Sequence, residues 1–156
     1  MEREITFIVK EEILRNVLKT HNVILVLGWL GTGKTATCLR AAKGIWKTYY
    51  FNADAKYAGR ELDLHTEGGT LLKNIDEMRA GPQADSLLII DDFDAATEET
   101  ATAVKRLLSG RSFPGKVVMT AQSRPKLDEE ELSIDAVVRI KDETAEILYT
   151  SLRDLT

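Results

Sequence analysis

The residues with the most chemistry in this chain are Gly28-Trp29-Leu30-Gly31-Thr32-Gly33-Lys34-Thr35. Their spacing is G-x-x-x-x-G-K-[ST], the pattern of a phosphate-binding P-loop. Glycines let the backbone fold tightly round an anion, and N–H groups then converge on it at the positive end of a helix. The pattern predicts phosphate contacts from Gly28, Leu30, Gly31, Thr32, Gly33, Lys34, Thr35 and Ala36. Lys34 would reach the β- and γ-phosphates, and the Thr35 hydroxyl would ligate Mg2+. The plainer alternative is a tight glycine turn between a strand and a helix.

Binding phosphate is not hydrolysing it, so the next question is where an acid could stand. The apolar run Leu87-Leu88-Ile89-Ile90 ends in Asp91-Asp92. At the carboxyl end of a strand, Asp91 would hold Mg2+ directly or through a water. Asp92 is the candidate for polarising the attacking water, although its side chain is a methylene shorter than glutamate. Both acids could instead form the negative start of the following helix, with Asp94 or Thr97 as its cap. A second polar tip follows Lys116-Val117-Val118-Met119-Thr120-Ala121. There the Gln122 amide could orient water or sense the γ-phosphate, and Arg124 could neutralise charge that develops in phosphoryl transfer. An ordinary polar loop closed by Pro125 remains the alternative for both.

These groups need elements to position them. Apolar and β-branched runs predict strands at Val23–Leu27, Thr48–Asn52, Ser86–Asp91, Lys116–Ala121 and Ala136–Ile140. Near-continuous apolar runs mark strands buried on both faces, as in a parallel sheet. Helices are expected at Val9–Thr20, at Thr35–Lys43 with Gly44 as its stop, at Thr70–Arg79, at Thr97–Leu108 and at Glu143–Leu152. Alternating strands and helices predict an α/β three-layer αβα sandwich built on a five-stranded parallel sheet. No linker or repeat interrupts residues 1–156, so one domain is expected: a leading helical segment over 1–21, a core over 22–141 and a closing helix over 142–156. Residues 54–69 read as a loop excursion, either beside the site or on the surface.

Bulk properties narrow the function classes. The 156 residues are 44% hydrophobic and 29% charged, which suits a globular domain with its own core. The 21 basic and 25 acidic residues leave a net charge of −4. That argues against a broad nucleic-acid footprint, while Lys105, Arg106, Arg111 and Lys116 leave room for a local DNA contact. Cys38 is the single cysteine, so no internal disulfide can form, and a cytoplasmic location is expected. The longest apolar run, Val23–Leu30, is too short to span a bilayer. His21 and His65 stand apart and offer no zinc-ligand spacing.

Taken together, these residues resemble the nucleotide-binding core of the AAA+ and STAND branch of P-loop ATPases. The resemblance spans about residues 5–150, including a similar lead-in at Phe7-Ile8-Val9-Lys10-Glu11-Glu12-Ile13. It implies a strand order of 5-1-4-3-2, ATP or ADP as ligand, and Mg2+. In the AAA+ register Gln122 takes the place of the usual sensor asparagine. In the STAND register Ser123-Arg124 matches a Ser/Thr-Arg pair whose arginine contacts the γ-phosphate. The chain departs from AAA+ proteins at Leu132-Ser133-Ile134-Asp135, where an arginine finger usually stands. About 16 residues follow Ile140, enough for one helix and too few for a helical lid. The expected function is Mg2+-dependent ATP binding with slow hydrolysis, together with a protein partner and a nucleotide-dependent oligomer. One alternative is a nucleotide-gated binding module, helicase-loader-like or a signalling switch; another is a small-molecule kinase.

Overall fold

The structure is a computed structural model that describes residues 2–29, 33–54, 86–109, 115–123, 132–141 and 144–150. The expected helix at Thr70–Arg79 and the excursion beyond Asp54 lie outside the described residues. In chain order the elements are α1 (Glu2–Thr20), β1 (Val23–Leu27), α2 (Lys34–Ala42), β2 (Lys47–Asn52) and β3 (Ser86–Asp91). A 3-10 turn at Phe93–Ala95 leads into α3 (Glu98–Ser109), followed by β4 (Lys116–Ala121), β5 (Ala136–Ile140) and β6 (Ala145–Thr150).

The six strands of the described residues form one sheet in the order β2-β3-β4-β1-β5-β6. Read from the other edge, the five parallel strands stand in the expected order 5-1-4-3-2, because β1 pairs in parallel with both β4 and β5. Strand β4 therefore separates β1, which feeds the P-loop, from β3, which ends in the acids. The crossovers bring the carboxyl ends of β1, β3 and β4 to one end of the sheet, where α/β folds place ligands.

Period-two alternation divides the core between the sheet's two faces. Ile24, Val26, Leu87 and Ile89 face Leu14, Val17 and Leu18 of α1 and Cys38, Ala41 and Ala42 of α2. Leu25, Leu27, Leu88 and Ile90 face the other way, toward Val104 and Leu108 of α3. Most of these are fully buried, and each large aliphatic among them, such as Ile24, Leu25, Leu88 and Ile89, contributes about 1.5–3 kcal/mol relative to an exposed side chain. The Cys38 thiol is also fully buried, which pushes its pKa up to about 12 and keeps it protonated.

The C-terminal end of α2 is tied down. At its C-terminus the Arg15 guanidinium of α1 donates to Ala41 O at 2.9 Å and to Arg40 O at 3.2 Å. A cation there satisfies terminal carbonyls and complements the helix dipole. Gly44 follows in the left-handed region at φ 80°, the conformation that commonly stops a helix. A Cβ there would meet nothing within 4 Å, so the only cost of a side chain is conformational. Gly44→Ala is therefore expected to destabilise the fold by about 1 kcal/mol in chemical denaturation; an unchanged midpoint would contradict this role.

Two expectations are corrected. First, residues Glu143–Leu152 do not form a closing helix: Ala145–Thr150 is a sixth strand, antiparallel to β5, and residues 151–156 lie outside the described residues. Lys141 N donates to Thr144 O at 2.8 Å, closing a short turn that sends the chain back along the unpaired edge of β5. Second, the sheet has six strands among the described residues and is mixed, not five-stranded and wholly parallel. Of the two caps expected for α3, Asp94 or Thr97, the structure has Thr97, whose Oγ1 accepts from Thr100 N at 3.1 Å. The leading helix also starts earlier than expected, at Glu2. None of the described helices is long and apolar enough to cross a membrane.

Candidate functional site

At the carboxyl end of β1 the ladder runs one bond further, with Gly28 N donating to Ala121 O at 3.0 Å. The chain then passes Trp29, which is 78% exposed, and re-enters the described residues at Gly33. Leu30, Gly31 and Thr32 lie outside them. Gly33 sits in the left-handed region at φ 78° and serves as N-cap of α2, contributing no side chain to the helix terminus. The first-turn N–H groups of α2, including those of Thr35 and Ala36, have no partner within their own helix and suit an anion.

Lys34 opens α2 and is 8% exposed. Its ammonium bends back over the loop and donates to Gly28 O at 2.8 Å and Trp29 O at 3.3 Å. A second lysine reaches the same corner from α1. Lys10 is only 2% exposed, and its Nζ lies 3.8 Å from the point a Gly33 Cβ would occupy. The Thr37 hydroxyl, one turn into α2, is buried and has no hydrogen-bond partner among the described residues.

Across β4, the Asp91 carboxylate is 6% exposed and collects three hydroxyls. Thr35 Oγ1 lies 2.9 Å from Oδ1 and 2.8 Å from Oδ2, and Tyr50 Oη donates to Oδ2 at 2.8 Å. Thr120 Oγ1, from the strand between, donates to Oδ1 and accepts from Asp92 N at 3.0 Å. The P-loop hydroxyl and the acid at the end of β3 are thus in contact. A hydroxyl and a carboxylate are hard oxygen donors of the kind Mg2+ takes, so the donor set fits that cation.

Asp92 adopts φ 55°, a left-handed conformation that aspartate tolerates better than most residues. It is half-buried, and Asn52 Nδ2 lies 3.3 Å from its Oδ2. Burial, then the neighbouring Asp91 charge, hold its carboxyl above the usual range, while the Asn52 bond opposes that shift. Burial and the bond to Asp91 likewise push the Tyr50 phenol well above its ordinary value, so it remains a donor at neutral pH.

Gln122 is exposed just past β4. Its backbone is fixed because Asp94 Oδ2 accepts from Gln122 N at 3.0 Å and Ser123 N at 3.3 Å. Arg124 and Arg111 lie outside the described residues. Lys116 stands at the opposite end of the sheet from the P-loop, and its Nζ donates to His21 O at 2.8 Å.

Sequence reasoning missed Lys10, Tyr50 and Asn52 altogether, and read Thr120 only as part of a strand. The available signal was a polar residue interrupting an apolar strand, as in Val118-Met119-Thr120, and polar residues two apart near the end of β2.

A G-x-x-x-x-G-K-T segment after β1, an acidic pair at the end of β3, and β4 lying between these two strands are features of the P-loop NTPase fold. No protein-family model matches the chain, and no curated protein matches it. Solved structures do. PCH-2 of C. elegans aligns at TM-score 0.51 and 19% identity, over 88% of this chain and 39% of that one. A STAND (Signal Transduction ATPase with Numerous Domains) protein with a tetratricopeptide repeat sensor, from Pyrococcus horikoshii, aligns at TM-score 0.49 and 24% identity, over 84% of this chain and 22% of that one. The P-loop NTPase domain of a sigma-54 transport activator from E. coli aligns at TM-score 0.47 and 15% identity, over 77% and 76%. This chain thus spans well under half the length of the first two.

Proposed function

We propose that this chain is a Mg2+-dependent ATP-binding domain with slow intrinsic hydrolysis. The observation that carries the reading is the contact of Thr35 Oγ1 with Asp91 beside the N-terminus of α2. In this reading the P-loop backbone from Gly28 to Ala36 cradles the phosphates. Lys34 leaves its carbonyl partners to bind β- and γ-oxygens. Thr35 and Asp91 hold the cation, which would offset charge on those oxygens. Asp92 orients the attacking water, and Gln122 and Arg124 face the γ-phosphate from the tip of β4. Cytoplasmic location, nucleotide-dependent oligomerisation and a protein partner that raises the rate belong to the same proposal.

One observation favours a second reading, the nucleotide-gated binding module. Asp92 is held by Asn52, which removes it from the task of orienting water and would make hydrolysis incidental to switching. A DNA contact has less support, since Lys116 is engaged by His21 O.

Trp29 supplies the test. It is the exposed one of two tryptophans, next to Gly28, whereas Trp46 is 9% exposed. In a Trp46→Phe background, titration with ADP or ATP plus Mg2+ is expected to change Trp29 emission saturably. A flat titration would overturn nucleotide binding. Phosphate release at a slow, Mg2+-dependent rate is the companion result for hydrolysis, and its absence despite binding would favour the gated module.

A further inference from the structure

Tyr50 belongs to no P-loop pattern, yet it makes one of the three hydroxyl contacts to Asp91. It lies in β2, an edge strand of the sheet, and the parallel register sets Tyr50 against Ile89 and Asn52 against Asp91. That register lets the phenol reach across to Asp91 Oδ2 at 2.8 Å. The phenol is itself oriented, because Asn52 Nδ2 lies 3.3 Å from Tyr50 Oη. We propose that Tyr50 is a positioning residue for the divalent-cation site, holding the Asp91 carboxylate in its ligating orientation through the bond to Oδ2. The inference rests on the cation-binding reading given above.

The argument follows from the donors. A carboxylate offers two oxygens and about four acceptor sites. Thr35 touches both oxygens of Asp91, Thr120 holds Oδ1 and Tyr50 holds Oδ2. A Thr35 hydroxyl that served as a cation ligand through its oxygen would still have a single proton, enough to hold one carboxylate oxygen and not both. Thr120 then secures one oxygen from β4, and Tyr50 secures the other from β2. With either bond missing the carboxylate can turn about its own axis, and ligand orientation is lost. Groups that orient metal ligands from behind typically change metal affinity by about 10–100-fold when removed.

The experiment compares the full chain with Tyr50→Phe, which keeps the ring and removes only Oη. Mn2+ serves as the probe, its free concentration read by electron paramagnetic resonance, with ADP present and protein in excess. ADP affinity in EDTA is measured in parallel by Trp29 emission. The expected result is Mn2+ affinity lowered about tenfold in Tyr50→Phe, with ADP affinity in EDTA unchanged. Equal Mn2+ affinity in the two proteins overturns the proposal. So does a parallel fall in metal-free ADP affinity, which would make Tyr50 a support of the whole pocket. If the parent chain binds ADP but shows no Mn2+ dependence, the underlying cation reading fails and the role of Tyr50 fails with it.

Discussion

Lys34→Ala is expected to lower affinity for ATP and ADP about 100-fold and leave the fold intact. In the structure the ammonium rests on Gly28 O at 2.8 Å and Trp29 O at 3.3 Å. Those neutral acceptors park the charge over the loop, where phosphate oxygens can take their place. A hydrogen bond between ionised partners contributes roughly 1.5–3 kcal/mol, so losing one or two removes about 3 kcal/mol of binding. At 1.4 kcal/mol per factor of ten, that is about two orders of magnitude. The fold loses little, since the Lys34 bonds are to loop carbonyls and not to the packed faces of the sheet. Calorimetric titration together with a thermal melt checks both halves. Affinity retained within threefold would remove Lys34 from the site, and phosphate release equal to the parent's would remove hydrolysis from the chain.

Substitutions at Asp91 should separate chemistry from architecture. Asp91→Asn is expected to cut Mg2+-dependent phosphate release at least about 100-fold, because a neutral amide replaces a charged cation ligand. Its remaining carbonyl oxygen still accepts hydroxyl donors, so the variant should fold. Asp91→Ala removes every acceptor. Thr35 and Tyr50 can turn to water, but Thr120 is fully buried and its hydroxyl proton would lose its acceptor, while the bond from Asp92 N remains. A buried group left unsatisfied costs about 1–3 kcal/mol, so the alanine variant should be less stable than the asparagine variant by that amount in denaturant titrations. Equal stability would mean that Thr120 finds another acceptor. Undiminished turnover in Asp91→Asn would move the cation elsewhere.

The parallel strands were legible because burial on both faces leaves an unmistakable trace. Leu87-Leu88-Ile89-Ile90 can only be a core segment, and Asp91 at its end announces where the strand meets solvent and ligand. β6 left no such trace. The pairing shifts between Val137 and Val138, which face Tyr149 and Ile147, so Leu148 is skipped in the ladder. That irregularity breaks the two-residue period on which a strand reading depends, and Ala145-Glu146-Ile147-Leu148 then passes for helix. Ile147, Tyr149 and Thr150, β-branched or aromatic, were the weaker opposing signal.

The site divides along the same line. Gly33, Lys34 and Thr35 are contiguous, and Asp91 follows an apolar run, so local spacing exposes them. Lys10, Tyr50, Asn52 and Thr120 reach the site from α1, β2 and β4. Only the sheet order and the register that sets Asn52 against Asp91 bring them there. Their identities are ordinary when read along the chain and acquire meaning only across strands.

The reversal of direction at β6 also governs how the domain can be handled. The chain leaves β5 at the same end of the sheet as Gly28, Lys141 N bonds to Thr144 O, and β6 runs back to Thr150 beside Ala136. A label placed at Thr150 would therefore stand at the opposite end, about 20 Å of strand away from the P-loop. Surface immobilisation through that end would leave the approach to Gly28, Lys34 and Asp91 open to ligand.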